Sequence, residues 1–234
     1  MYKLKDERML GDVRKVGLYA LKSIMGDKVL SKISGKIYED KELFTHSLNV
    51  AEISTYLGII YKFDLNELIN LYTGAYLHDA GKLNLDRKIL YKKGIFTDKE
   101  RSYTETHTTI GYKLLKDTSL NESALEIVRS HHEKLDGSGY PDMLDNEEIS
   151  IYTQIVTVAD MFEAMTSDRC YRKAMEQEKV FNKLQNDKGI NQTCVDILMN
   201  SVELNSNEHR DIFSISKRFN AISENYNLGG VAVV

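Results

Sequence analysis

The placement of histidine constrains this chain more than any other feature. The run His78-Asp79-Ala80-Gly81-Lys82 closes an apolar helical segment, and His46, His107, His131, His132 and Asp160 lie on other segments of helical pattern. Five of the six histidines belong to this set and only His209 is left over, so the chain must fold in a way that gives buried imidazoles a common partner. Nitrogen and oxygen side chains of these types build a metal site.

The individual segments set the terms of that convergence. Residues 1–38 mix charged and apolar positions, with Val13, Val16, Ala20 and Ile24 at helical spacing. This stripe suits packing or a homodimer contact through N-terminal helices. From Asp40, the positions Glu42, His46, Val50, Ile53 and Leu57 follow the i, i+3, i+4 rule, which puts Glu42 and His46 on one face. A lone histidine on such a stripe is most often a satisfied core residue, but a glutamate one turn earlier is harder to explain by packing. Asp64 to His78 reads as a helix with Asp64 as N-cap. Adjacent helical residues point about 100° apart, so His78 and Asp79 reach one centre only from the angle between them. Gly81 lets the backbone turn beside it. A surface His-Asp at a helix end, with Lys82 favouring the helix dipole, is the alternative from this segment alone.

Thr97 and Glu100 have capping-box spacing and predict one helix that carries His107, on a stretch rich in threonine. Asn121 or Ser123 opens the next helix, whose apolar side ends at His131-His132. Two imidazoles there without partners would cost roughly 1–3 kcal/mol for each unsatisfied polar group, a penalty that metal coordination removes. Residues 133–148 form the longest loop and hold Asp136-Gly137-Ser138-Gly139-Tyr140-Pro141, with the only proline of the chain. This is either an ordinary surface turn or a rigid wall for a planar base. The segment 150–167 is a helix that is apolar almost all round, with Asp160 in its middle. A carboxylate buried there must be paired or bound to a metal. Arg169, Arg172 and Lys173 follow, suited to helix-end charge or to phosphate oxygens. The stretch from Glu176 to Asn227 reads as further helices, and Gly229 to Val234 as a loose tail.

Composition narrows the function classes. At 234 residues with 42% hydrophobic and 28% charged residues, one main soluble domain is expected. A net charge of −4 argues against a nucleic-acid polymer as partner. No apolar run approaches the ~20 residues of a membrane span, and the charged N-terminus excludes a signal peptide. Cys170 and Cys194 form no CxxC pattern. A reducing cytoplasm is the expected location.

From Glu42 to Lys173 the ordered set His46, His78-Asp79-x-Gly-Lys82, His107, His131-His132-Glu133, Asp136-Gly-x-Gly-Tyr-Pro141, Asp160 and Thr166-Ser-Asp-Arg169-x-Tyr-Arg172 resembles the HD-GYP subgroup of the HD-domain metal phosphohydrolases. The resemblance implies an all-α HD-domain helical bundle over residues 39–205, with a short N-terminal helical extension at 1–38 and a C-terminal helix and tail at 206–234. It implies two or three divalent metal ions, iron or manganese, and hydrolysis of cyclic di-GMP to linear pGpG and then GMP by in-line attack of a metal-bridging hydroxide. Carried over position by position, Glu42, His46, His78, Asp79, His107, His131, His132 and Asp160 are the expected metal ligands. Asp79 bridges, and Glu42 corresponds to the extra carboxylate of members that hold three metals. Lys82 meets the scissile phosphate, Gly139, Tyr140 and Pro141 line the nucleotide site, and Arg169 and Arg172 hold phosphate oxygens.

Three positions depart from the subgroup's pattern: Thr108 where a proline commonly follows the third histidine, Gln154 where an arginine is usual, and the small Ala80 inside the HD motif. None removes an expected ligand. Two other readings stay open: a module that senses a cyclic dinucleotide without cleaving it, and a hydrolase of another cyclic nucleotide such as cyclic GMP-AMP. Residues 1–38 are too short for a sensor domain, so regulation is expected from dimerisation or a separate partner.

Overall fold

The computed structural model describes residues 3–169 and 172–203. The expected helix and tail at 206–234, His209 and Cys170 lie outside the described residues. Eleven α-helices account for most of the rest: α1 (Glu7–Gly26), α2 (Lys28–Glu39), α3 (Lys41–Ile60), α4 (Leu65–Leu77), α5 (Arg87–Leu90), α6 (Asp98–Glu105), α7 (His107–Leu115), α8 (Glu122–Ser130), α9 (Ile151–Thr166), α10 (Gln177–Asn186) and α11 (Gln192–Ser201). A 3-10 turn, Ala80–Asn84, follows α4. Two-residue strands, β1 (Lys3–Leu4) and β2 (Val202–Glu203), pair antiparallel and join the start of the chain to the end of α11. The expected all-α class holds.

Helix starts follow from local chemistry. Asp6, Asp27, Asp40, Asp64, Thr97, Asn121, Ser150 and Asn191 each stand at an N-cap and accept hydrogen bonds from the first free backbone N–H groups. Asp64 with Glu67 and Thr97 with Glu100 complete reciprocal capping boxes. The helix expected to run from Thr97 through His107 is instead two, α6 and α7. Thr104 and Thr106 donate their hydroxyls to the carbonyls of Arg101 and Tyr103, and the His107 ring takes the Thr104 carbonyl. Side chains that claim the backbone acceptors in this way interrupt the helical ladder.

α3 is the central element. Fourteen of its residues are buried, from Leu43 to Gly58, and it packs on α4, α9, α1 and α2. A helix apolar on nearly all sides belongs in the middle of a core. Val13, Val16, Ala20 and Ile24 are buried in that same core, where α1 lies on α3 and α4. The stripe thus finds its partner inside the chain. No helix among the described residues is long and apolar enough to cross a membrane.

Two close backbone approaches position the site. A side chain at Gly81 would meet the His107 carbonyl oxygen at 1.9 Å, so only glycine lets the turn after His78-Asp79 press against α7. At Gly139 an added Cβ would lie 2.4 Å from Glu133 Cα, which clamps the 133–148 loop back on its own start.

Asp27 offers a direct check on the arrangement of α2. One carboxylate oxygen accepts from the Val29 and Leu30 N–H groups at 2.8 and 3.1 Å, and the other from Ser119 N and Oγ at 3.1 and 2.8 Å. The Leu30 and Ser119 bonds hold its pKa down to about 2. A depressed folded value gives a contribution that is present above the usual carboxylate pKa and vanishes as pH falls through about 2. The urea midpoint of Asp27→Ala should therefore sit below that of the parent at pH 7, with the gap narrowing between pH 4 and 2.

Candidate metal centre

α3 contributes His46, the end of α4 His78 and Asp79, the start of α7 His107, the end of α8 His131 and His132, and the middle of α9 Asp160. All of them meet. Two sets stand out, His46-His78-Asp79 and His107-His131-His132, and within each the candidate ligand atoms lie within 4.8 Å of one another. Asp79 stands between the sets. Its Oδ2 lies 3.3 Å from His46 Nε2 and 3.4 Å from His78 Nε2, and its Oδ1 lies 3.3 Å from His107 Nε2 and 3.9 Å from His131 Nε2. Asp160 straddles them from the other helix, with Oδ1 at 3.1 Å from His46 Nε2 and Oδ2 at 4.0 Å from His132 Nδ1.

Hydrogen bonding orients these rings. His78, His107 and His131 each donate Nδ1–H to a carbonyl of their own helix turn, on Ala75, Thr104 and Ile127, at 2.6, 2.7 and 3.0 Å. With Nδ1 as donor, Nε2 carries a lone pair. His107 Nε2 and His131 Nε2 then face each other at 3.2 Å without a proton between them. Burial pushes His107 down to about 3 and His131 well below its ordinary value, so both are neutral at pH 7. Beside them Asp79 Oδ1 is buried and receives no hydrogen bond. Three acceptors converge with no donor, and a cation satisfies all of them.

On the other side the carboxylates dominate. Burial drives His46 down, but Glu163, Asp160 and Asp79 outweigh it and raise its pKa to about 10. Asp79 and Asp160 lie well below the usual carboxylate range: burial opposes ionisation, and Lys82 and His78 for the first, His46 for the second, overcome it. A cation bound at this set displaces the His46 proton. The donors are nitrogen and oxygen with no thiolate among them, which suits iron, manganese or zinc in an open site rather than a structural zinc cage. The residues present fit a divalent metal pair.

A residue that the sequence reading passed over completes the site. Glu163, 1% exposed, accepts from His46 Nδ1 at 2.6 Å, Asn49 Nδ2 at 3.1 Å, Ser167 Oγ at 2.8 Å and Arg169 at 2.6 Å. Burial alone would raise it, yet His46 and Arg169 hold its pKa at about 2. It lies three residues after Asp160 on a helix otherwise apolar, and that spacing was the available signal. Arg169 was expected at a phosphate; its guanidinium is 10% exposed and pairs with Glu163 at the edge of the cleft. Arg172 donates to the Ala164 carbonyl and also lines the cleft.

The remaining expected residues fall in different places. Glu42 borders the cleft with His46, on the shared face of α3. Lys82 Nζ donates to Asp79 Oδ2 at 2.5 Å. The Tyr140 ring stacks on His132, a residue of the cleft, with centroids 4.8 Å apart. Gly139 and Pro141 belong to the loop behind it. That loop is organised by Glu133, which accepts from Asp142 N at 2.6 Å and Leu144 N at 3.1 Å. Gln154 donates to the Ile149 carbonyl and accepts from Asn191, and so ties α9 to the start of α11, while Thr108 Oγ1 bonds the Glu105 carbonyl. These two of the three departures from the subgroup pattern serve helix ends.

A helical bundle whose centre is two sets of imidazoles divided by an aspartate defines a class of metal-site protein. The chain belongs to the HD-domain family, whose model, described as HD domain, matches residues 28–191, and the HD-GYP resemblance lies within that span. Among curated proteins it is 36% identical over 156 residues to a cyclic di-GMP phosphodiesterase of Thermotoga maritima, covering 65% of this chain and 42% of the relative. It is 31% identical over 182 residues to the 3'3'-cGAMP-specific phosphodiesterase 3 of Vibrio cholerae, covering 76% and 40%. The chain thus spans about two fifths of the length of these relatives. Among solved structures, an HDG"Y"P protein from Bdellovibrio bacteriovorus superposes with a TM-score of 0.56 over 67% of this chain and 52% of that one, at 19% identity, a likeness of fold.

The Glu163 contact makes a measurable claim. A carboxylate that orients a ligating imidazole usually contributes 10- to 100-fold in metal affinity. Glu163→Gln should weaken manganese binding by about tenfold or more, read by titration calorimetry against the parent protein.

Proposed function

We propose that this protein is a metal-dependent phosphodiesterase that opens a cyclic dinucleotide, cyclic di-GMP in the first place, to linear pGpG and then to GMP. The observation that carries this reading is the position of Asp79, whose two carboxylate oxygens face two separate histidine sets. One ion would be held by His46, His78, Asp79 and Asp160, and the other by His107, His131, His132 and Asp79. Glu42 is the candidate ligand of a third. Iron or manganese ions held there would supply Lewis acidity and a water of lowered pKa as nucleophile.

The protein's own side chains do the remaining work. Asp79 fixes the spacing of the two sets, and the backbone carbonyls on His78, His107 and His131 lock the tautomers that aim Nε2 inward. Lys82, a quarter exposed beside Asp79, stabilises negative charge that builds on the phosphate oxygens. Arg172 and Arg169, the latter paired with Glu163, both line the cleft and add positive charge to it. Relatives that include both cyclic di-GMP and 3'3'-cGAMP phosphodiesterases support the cyclic dinucleotide class. Cyclic GMP-AMP is therefore the second substrate to test.

Protein prepared anaerobically and loaded with iron or manganese should convert cyclic di-GMP to pGpG, followed by chromatography of the products. Cleavage of no cyclic dinucleotide with either metal would overturn the reading. Asp79→Ala should lose bound metal by elemental analysis together with all turnover. Lys82→Ala, by contrast, should keep its metal content while kcat falls about 10²–10³-fold, the range for loss of one charge-stabilising donor.

A further inference from the structure

One wall of the cleft has no part in holding metal or phosphate. Leu43, Leu90 and Tyr91 give it an apolar side next to Lys82 and Arg172. Tyr140, the aromatic expected to meet a base, stacks on His132. Tyr91 is a second tyrosine at the site, among the residues that line the cleft.

This ring is held in place. Its hydroxyl donates to Asp40 Oδ2 at 2.7 Å, and Arg87 lies over it with the guanidinium carbon 5.1 Å from the ring centre. Arg87 donates to the same Asp40 oxygen at 2.7 Å. Asp40 in turn caps α3 through the Leu43 N–H at 3.2 Å. The ring is thereby tied to the helix that presents Glu42 and His46, and little freedom remains to be lost when a ligand settles on it. The cavity itself is small, ≈ 190 Å³, below the ~300–1,000 Å³ of enclosing small-molecule sites. A two-base ligand is only partly enclosed there, so contact with one base carries weight.

We propose that Tyr91 is a substrate-binding residue of this cleft: its ring is the platform on which one purine of a cyclic dinucleotide stacks while the adjoining phosphodiester lies against Lys82 and the metal centre. The proposal rests on the phosphodiesterase reading and adds to it the residue that recognises the base. Stacking engages the π face and not the base edge, so Tyr91 adds affinity for the base and treats guanine and adenine alike.

The test is steady-state kinetics on the full chain loaded with manganese, with cyclic di-GMP and cyclic GMP-AMP as substrates. Tyr91→Ala should raise KM about tenfold or more for both, the usual scale for loss of one base–aromatic stack, with kcat and metal content unchanged. Tyr91→Phe and Tyr91→Trp, which keep the ring, should stay within about threefold of the parent. Tyr91→Leu keeps bulk without a π face and should behave as Tyr91→Ala, which decides the matter if the alanine variant does not fold. An unchanged KM in the alanine and leucine variants overturns the proposal and leaves the phosphodiesterase reading intact. So does a loss in Tyr91→Phe equal to that in Tyr91→Ala, because the hydroxyl anchor on Asp40 would then be the whole effect. Parent protein that cleaves neither substrate, with manganese or with iron, overturns the phosphodiesterase reading itself, and the base platform with it.

Discussion

The confrontation of His107 Nε2, His131 Nε2 and Asp79 Oδ1 in a space with no donor is the constraint on which this structure depends. Lone pairs brought this close repel, and burial removes the water that would otherwise satisfy them. A cation held by this cluster would satisfy all three acceptors, and through Asp79 it would be linked to the set on the other side. Metal binding would then be coupled to the packing of α3, α4, α7, α8 and α9.

The helices around the cluster are arranged to resist its collapse. Carbonyls within the same turn take the Nδ1 hydrogens of three rings, so the rings cannot rotate to relieve the crowding without losing a buried hydrogen bond. Glu163 does the same for His46 and is itself held by Asn49, Ser167 and Arg169. Behind these contacts, Gly81 allows the turn after Asp79 to touch α7 with no side chain between. The geometry of the centre is thus imposed from the outside inward.

The cleft above it divides the chemistry. His46, Asp79, His132 and Asp160 bring candidate ligand atoms to it, Lys82 and Arg172 supply positive charge, and Leu43, Leu90 and Tyr91 supply apolar surface. A phosphodiester attached to a flat heterocycle presents the complementary features. Beside the cleft Tyr140 stacks on His132, and Gly139 lets the 133–148 loop close on Glu133.

Much of this was legible in the residues alone. Capping chemistry marks helix starts at Asp64, Thr97 and Ser150 because the donor and acceptor lie within one turn of chain. The order of histidines and aspartates indicated a metal centre because an imidazole or carboxylate on an apolar face needs a partner wherever the chain goes. What the sequence could not decide were relations between distant segments. Glu163 binds His46 across 117 residues of chain and Arg169 six residues on, so an arginine that local charge suggests for phosphate is partly committed elsewhere. Threonine hydroxyls at 104 and 106 break a helix that periodicity ran through. The positions of Tyr91 and Tyr140 at the site depend on Asp40 lying within reach of the first and His132 beside the second. Local propensity and burial cost are properties of a short stretch of residues and can be read from it, whereas the direction of a side chain in a shared pocket is set by neighbours that only the folded chain brings together.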